Sequence, residues 1–248
     1  MPVQLPGFDM KKSQIFVKRV WQGVFALITI CFLWCFINLS ILAFSWLKSY
    51  SMTVDNTPQT YYADIRHDKG QVGKTLIISA IKAQPDKKVW FGHIWVVWDK
   101  APPHAHGEKE AGFYAASKSQ AARALILSII SPSALITGQK PIAGVMRNDE
   151  GLYRHWQLVL RVDNAQYARA LLVDDKWRNQ NQYLLRPSIS GKTITCRDYV
   201  FEVAQAVGLK VKQNDWDKFP PESFAELVKL NNIETPNRVY SYLAMRNP

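Results

Sequence analysis

The sequence predicts an α+β domain with a central antiparallel sheet packed by helices, carried behind a single N-terminal transmembrane helix. Three observations lead there. Residues Val20 to Leu47 form a 28-residue run without a charge, long enough to cross a bilayer with some tilt. Beyond it, stretches that alternate at period two are interspersed with stretches at helical spacing, the signature of strands and helices sharing one core. At 248 residues, 48% of them hydrophobic and 12% aromatic, the chain suffices for one sizeable core and has no disordered composition.

The apolar run is bounded by Trp21 and Trp46 near its ends, where indole rings prefer the interface. Lys11, Lys12, Lys18 and Arg19 precede it and only Lys48 follows closely, so the N-terminus is expected to be cytoplasmic. Residues 1–19 then form a cytoplasmic tail, 20–47 the membrane helix, 48–63 a polar tether and 64–248 the main domain. In a bacterium this is a single-pass inner-membrane protein whose domain faces the periplasm. A cleaved signal peptide is the competing reading, with Ala43-Phe44-Ser45 as a passable site, but the apolar run is about twice a usual h-region.

Lys74 to Ala83 reads as a strand, and Val89 to Trp98, apolar on both alternating faces, as a central strand covered on both sides. His93 is its polar side chain. Gly112-Phe113-Tyr114 marks a further short strand, and Ser117-x-x-Gln120 has the form of a capping box ahead of a helix over 121–130. Residues 133–149 give no clear assignment. Tyr153 to Val162 alternates, with Trp156, Leu158, Leu160 and Val162 on one face and His155, Gln157, Val159 and Arg161 on the other. Asp163 or Asn164 caps the next helix, in which Tyr167, Ala168, Leu171 and Leu172 share a face. A polar link from Asn179 to Gly191 leads to the helix that begins near Cys196, and Pro220-Pro221 opens a last short helix.

The central stretch is Thr193-Ile194-Thr195-Cys196-Arg197-Asp198-Tyr199-Val200. Thr195 is a good N-cap with Asp198 three residues on, and Tyr199, Val200, Val203, Ala204 and Val207 repeat at helical spacing until Gly208. Cys196 therefore falls in the first helical turn, where the partial positive charge of the helix N-terminus favours a thiolate. The competing reading is a small buried hydrophobe. Cys31 and Cys35 lie within the membrane run, so Cys196 has no disulfide partner in its own domain, and a lone thiol facing an oxidising compartment is most readily understood as chemical. His93 is the candidate base, against the alternative of a hydrogen-bonded core histidine. His155 or Gln157 is the candidate third residue that orients its imidazole, against the alternative that both face water. His104-x-His106-x-Glu108 lies in a proline-flanked loop with no further Cys or His nearby, so no metal is expected, and no cofactor.

The chain is strongly basic, with a formal net charge of +11. Five of the 31 Lys and Arg and one of the 20 Asp and Glu lie in the first 48 residues, so the remainder keeps 26 against 19, a net of +7. The excess is spread along the sequence, which suits an anionic partner such as a cell-wall polymer or a phospholipid headgroup. No finger spacing, basic helix or aromatic RNA-binding motif accompanies it, so nucleic acid is not an expected partner.

Phe91-Gly92-His93-Ile94-Trp95-Val96 followed by Thr195-Cys196-Arg197-Asp198-Tyr199-Val200, with Gly112-Phe113-Tyr114 between them, resembles the circularly permuted papain-like thiol hydrolases, in which histidine precedes cysteine. That group is similar to the cell-wall amidopeptidases of the NlpC type and to the lecithin-retinol acyltransferase relatives. The resemblance covers most of residues 70–230. It implies a papain-like fold with Cys196 as nucleophile, His93 as base and a thioester intermediate. The expected function is hydrolysis of amide bonds, with peptidoglycan peptides as the substrate that the compartment suggests. A lipid acyltransferase or phospholipase of the same fold is an alternative suggested by the anchor and by Trp90, Trp95 and Trp98; a non-catalytic membrane-tethered binding module is another.

Overall fold

Alternation builds the middle of the molecule. In the structure, a computed structural model describing residues 10–52, 58–70, 72–84, 89–99, 109–130, 140–185, 192–212 and 218–233, the elements run in the order α1 (Met10–Ser51), β1 (Gln59–Asp64), β2 (Lys74–Ile81), β3 (His93–Trp98), β4 (Glu110–Ala115), α2 (Lys118–Ile130), β5 (Ile142–Asn148), β6 (Trp156–Val162), α3 (Asn164–Arg178), β7 (Gln182–Tyr183), α4 (Cys196–Ala206) and α5 (Pro220–Leu230). The strands form one sheet in the order β1-β6-β2-β3-β4-β5-β7.

Register follows the alternating pattern. Leu76, Ile78 and Ala80 of β2 pair with Leu160, Leu158 and Trp156 of β6, and Ile78 and Ala80 with Val96 and Ile94 of β3. Directly paired residues point to one face, so these side chains form a continuous apolar surface. Against it pack Ala170 and Trp177 of α3, Tyr199, Val200, Val203 and Ala204 of α4, and Phe224, Leu227 and Val228 of α5. Each of the larger of these side chains, such as Val200, Phe224 and Leu227, contributes about 1.5–3 kcal/mol by leaving water. The opposite face carries Ser79, His93, Trp95, Glu110 and Gln157, all buried. Glu110 anchors part of this face: Trp95 Nε1 donates to Glu110 Oε2 at 3.0 Å and Arg154 Nη2 to Glu110 Oε1 at 2.7 Å.

β3 and β4 pair at Val96–Ala111 and Val97–Glu110. Toward His93 and Tyr114 the ladder ends although both strands continue, and α4 packs across the pair. This local parting of two neighbours is what gives the N-terminus of α4 access to both strands.

The sheet is mixed rather than purely antiparallel, because β1 pairs with β6 in parallel. β1 occupies residues expected to be tether; its backbone satisfies the free edge of β6, with Gln59 N–H donating to His155 O at 2.8 Å. The other end of the expected tether is also ordered: α1 continues through Ser51, and residues 53–57 lie outside the described residues. β3 begins at His93, not at Val89, because Gly92 turns the chain with φ +78°. In α3 the buried face is Gln166, Ala170, Asp174 and Trp177, while Leu172 is exposed, contrary to the expected apolar face. Gln166 tolerates burial because its amide nitrogen donates to Ile65 O and Val207 O, each at 2.8 Å.

α1 has 42 residues, about 63 Å at 1.5 Å per residue, and is long and apolar enough to cross a membrane. Its C-terminal end is fastened to the domain. Trp46 Nε1 donates to Trp90 O at 2.8 Å, Lys48 pairs with Glu222 at 2.7 Å, and Lys82 Nζ donates to Met52 O at 3.2 Å.

Candidate functional site

The cap at α4 forms as its residue types require. Thr195 is extended, at φ −138° and ψ 177°; its N–H donates to Asp198 Oδ2 at 2.9 Å and its hydroxyl to the same oxygen at 2.6 Å. Cys196 is then the first helical residue. The completely buried side chains of Tyr199, Val200, Val203 and Ala204 fix the rotation of the helix, and that rotation turns Cys196 inward at 7% exposure. Beside it the buried Arg197 donates through Nη2 to Thr193 Oγ1 at 2.8 Å.

His93 reaches the same place from the sheet. It opens β3 immediately after Gly92, where a Cβ would stand 2.7 Å from Ile81 O and 2.8 Å from Pro221 Cδ. The imidazole, on a residue 5% exposed, stacks on Trp95 with centroids 5.6 Å apart and meets the Tyr114 ring at a tilt, 4.3 Å away. Its Nε2 meets Asp149 Oδ2 at 2.9 Å, which leaves Nδ1 as the ring nitrogen available to the Cys196 side chain with which His93 shares a hydrogen bond. Burial alone would push the imidazole pKa down. The Asp149 carboxylate more than offsets it, by charge and by hydrogen bond, and Cys196 adds to the effect, so that His93 is raised to about 10. The direction of the shift favours the imidazolium form of the ring.

Asp149, 2% exposed, is the third member. It follows β5 in a tight turn: its N–H donates to Glu110 O at 3.2 Å, its carbonyl accepts from Leu152 N–H at 3.0 Å, and Asn148 Oδ1 accepts from Glu150 N–H at 2.9 Å. The Tyr114 hydroxyl donates to Asp149 Oδ1, and burial, then the Asp149 charge, raise the tyrosine's own pKa. Gly112 makes the approach possible. A Cβ there would lie 2.1 Å from Asp149 Oδ2 and 2.4 Å from His93 Nε2, so the close contact of carboxylate and imidazole requires glycine beneath it.

The structure thus brings Cys196 and His93 together and places Asp149, not the expected His155 or Gln157, against the other ring nitrogen of His93. Both expected residues are buried, not facing water, but on β6 or at its start, with β2 between them and β3. His155 Nδ1 accepts from Lys82 N–H at 3.3 Å and its Nε2 meets Gln84 Nε2 at 3.2 Å. The Gln157 amide faces the Arg154 guanidinium at 3.1 Å. The physical reason for the correction is register: strand pairing sets His93 beside β4, and the turn after β5 carries Asp149 over Gly112. One sequence signal marks the place: Asn148-Asp149-Glu150-Gly151 is a turn composition. His104, His106 and Glu108 lie outside the described residues; among the described ones, no group of three or more His, Cys, Asp and Glu is placed to hold a metal ion.

The fold and the site define a class: an α+β domain in which a helix-terminal cysteine, a strand histidine and a turn aspartate form one buried, hydrogen-bonded series. No protein-family model matches the chain, and no curated protein or solved structure matches it either.

Proposed function

We propose that the protein is a membrane-anchored cysteine hydrolase of permuted papain-like type, acting by acyl transfer through Cys196. The observation that carries this reading is the series Cys196–His93–Asp149, with Nε2 held at 2.9 Å from the carboxylate and the cysteine at a helix N-terminus. In the proposed cycle the Cys196 thiolate attacks a carbonyl carbon and the carbonyl oxygen becomes an oxyanion, which backbone N–H groups at the start of α4 stabilise. The oxyanion collapses, the C–N bond breaks, and His93 protonates the departing amine. Water then attacks the thioester, gives its proton to His93 and releases the carboxylic acid with the thiolate restored. Asp149 keeps the imidazole in one orientation and stabilises its cationic form.

The charge asymmetry about α1 favours an N-terminus in the cytoplasm and a periplasmic domain, where peptidoglycan peptides are the amide substrates in reach. A lipid acyl substrate is the second reading, favoured by the exposed Ile126 and Leu127 beside α1.

The test is alkylation of Cys196 by iodoacetamide in the full chain in detergent, with Cys31 and Cys35 replaced by alanine, over pH 5–10. Rapid labelling at pH 7 that slows at least about tenfold in His93→Ala and in Asp149→Asn is the expected result, in keeping with the usual weight of general acid–base partners. Labelling seen only after unfolding, or indifferent to His93, means that Cys196 is a packing residue, and the enzyme reading falls.

A further inference from the structure

The connection from β4 to β5 leaves the sheet and returns to the same corner of it. Ala115 pairs with Gly144, so the excursion between them starts and ends at adjacent rungs. Its outgoing limb is α2, whose composition changes along its length. Lys118 and Arg123 belong to the first turns, and from Ala124 to Gln139 the sequence has 16 consecutive residues without a charge. Ala121, Ala124 and Leu125 are half-buried, whereas Ile126 is 57% and Leu127 48% exposed.

Beyond its root on β4 and β5, α2 packs against α1. Among the partly or fully buried residues of α1, Cys31, Cys35, Asn38, Leu42, Ser45 and Ser49 form one stripe at helical spacing, while the described side chains from Phe16 to Ile30 are all exposed. The stripe therefore extends down from the domain into the part of α1 that is apolar enough to lie in a membrane. An apolar helix lying along that part shares its solvent.

We propose that α2 enters the bilayer beside α1 as a re-entrant helix, with lipid acyl chains covering Ile126 and Leu127. The inference rests on α1 spanning the membrane. Sixteen uncharged residues fall short of the roughly 20 needed to cross, Pro132 interrupts them, and both ends of the excursion are tied to one corner of the sheet. Entry and return satisfy all three. The helical backbone of α2 meets the requirement that polar groups at membrane depth be bonded internally, and Lys118 and Arg123 keep their charges at the headgroups while their stems lie along the apolar surface.

The experiment uses the full chain with Cys31, Cys35 and Cys196 replaced by alanine, reconstituted in phosphatidylcholine/phosphatidylglycerol vesicles. Single-cysteine variants Leu127→Cys or, should that fold poorly, Ile126→Cys on α2, Phe25→Cys on α1 and Leu172→Cys on exposed α3 carry a bimane fluorophore. Each is quenched in turn by nitroxide-labelled acyl chains and by aqueous iodide. The expected result is lipid quenching at residue 127 comparable with residue 25 and at least twofold above residue 172, with iodide quenching in the reverse order. Iodide quenching at 127 while 25 responds to lipid overturns the proposal and leaves the anchor standing. Protection of 127 from both quenchers also overturns it, because a second copy of the chain then covers that face. Failure of lipid to quench residue 25 removes the membrane reading and this inference with it.

Discussion

Two buried carboxylates in this molecule have nearly the same surroundings and different capacities. Asp174 accepts from the Tyr199 hydroxyl at 2.5 Å and from Arg178 Nε at 2.9 Å. Asp149 accepts from the Tyr114 hydroxyl and meets His93 Nε2 at 2.9 Å. Each is thus a nearly inaccessible acid held by a tyrosine and a cation, and in each case burial, then the neighbouring carboxylate, raises the tyrosine pKa. The cation makes the difference. A guanidinium does not give up its proton, so the Asp174 group can only fasten α3 to α4. An imidazolium exchanges protons with whatever lies on its other side, and there Cys196 stands. The acid–tyrosine pair is a structural device in both places, and one change of partner, beside a thiol, supplies the proton exchange that the proposed reaction would use.

Removing each piece should separate the two. Asp174→Ala leaves Arg178 and Tyr199 facing a gap in the core and should cost about 3–5 kcal/mol, measured as a lower urea midpoint, while Cys196 alkylation in the remaining folded protein keeps its native rate. Gly112→Ala should do the reverse: the added methyl forces Asp149 and His93 apart and should slow alkylation on the order of 100-fold, with a smaller loss of stability; a native rate in that variant would mean that the 2.9 Å contact has no part in activating the thiol. Tyr114→Phe and Tyr199→Phe each leave a carboxylate lone pair without its donor, at about 1–3 kcal/mol; only the first should alter the pH profile of alkylation.

A further effect should come from pH. The folded pKa of His93, about 10, lies above its ordinary value of 6.5, so its contribution to stability is complete below about 6.5 and is lost as pH rises through 10. The urea midpoint of the native chain should therefore fall with rising pH across that window more than the midpoint of His93→Gln. Parallel curves would contradict the ion pair.

Legibility varied with the range of the interaction involved. The Cys196 helix was readable because Thr195, Asp198 and the run to Val207 act within a few residues of one another. The faces of β6 were readable because alternation is a property of the strand alone. β1 was not, since Gln59–Asp64 carries little apolar patterning and is held by pairing with β6, nearly 100 residues away. The buried face of α3 escaped for a related cause: Gln166 and Asp174 look like surface residues until the groups that bond them, Val207 O and the Tyr199 hydroxyl, are in place.

By itself the sequence determined the apolar α1, the α+β character, and the presence of a cysteine at a helix N-terminus with a histidine on a central strand. These follow from local spacing, capping and hydrophobic pattern, whose physics is complete within a short stretch of chain. Only the tertiary structure decided that Asp149, not His155 or Gln157, would hold that histidine. The choice depends on strand register, on the parting of β3 from β4 and on the missing side chain of Gly112, and these are relations between segments that no single segment encodes.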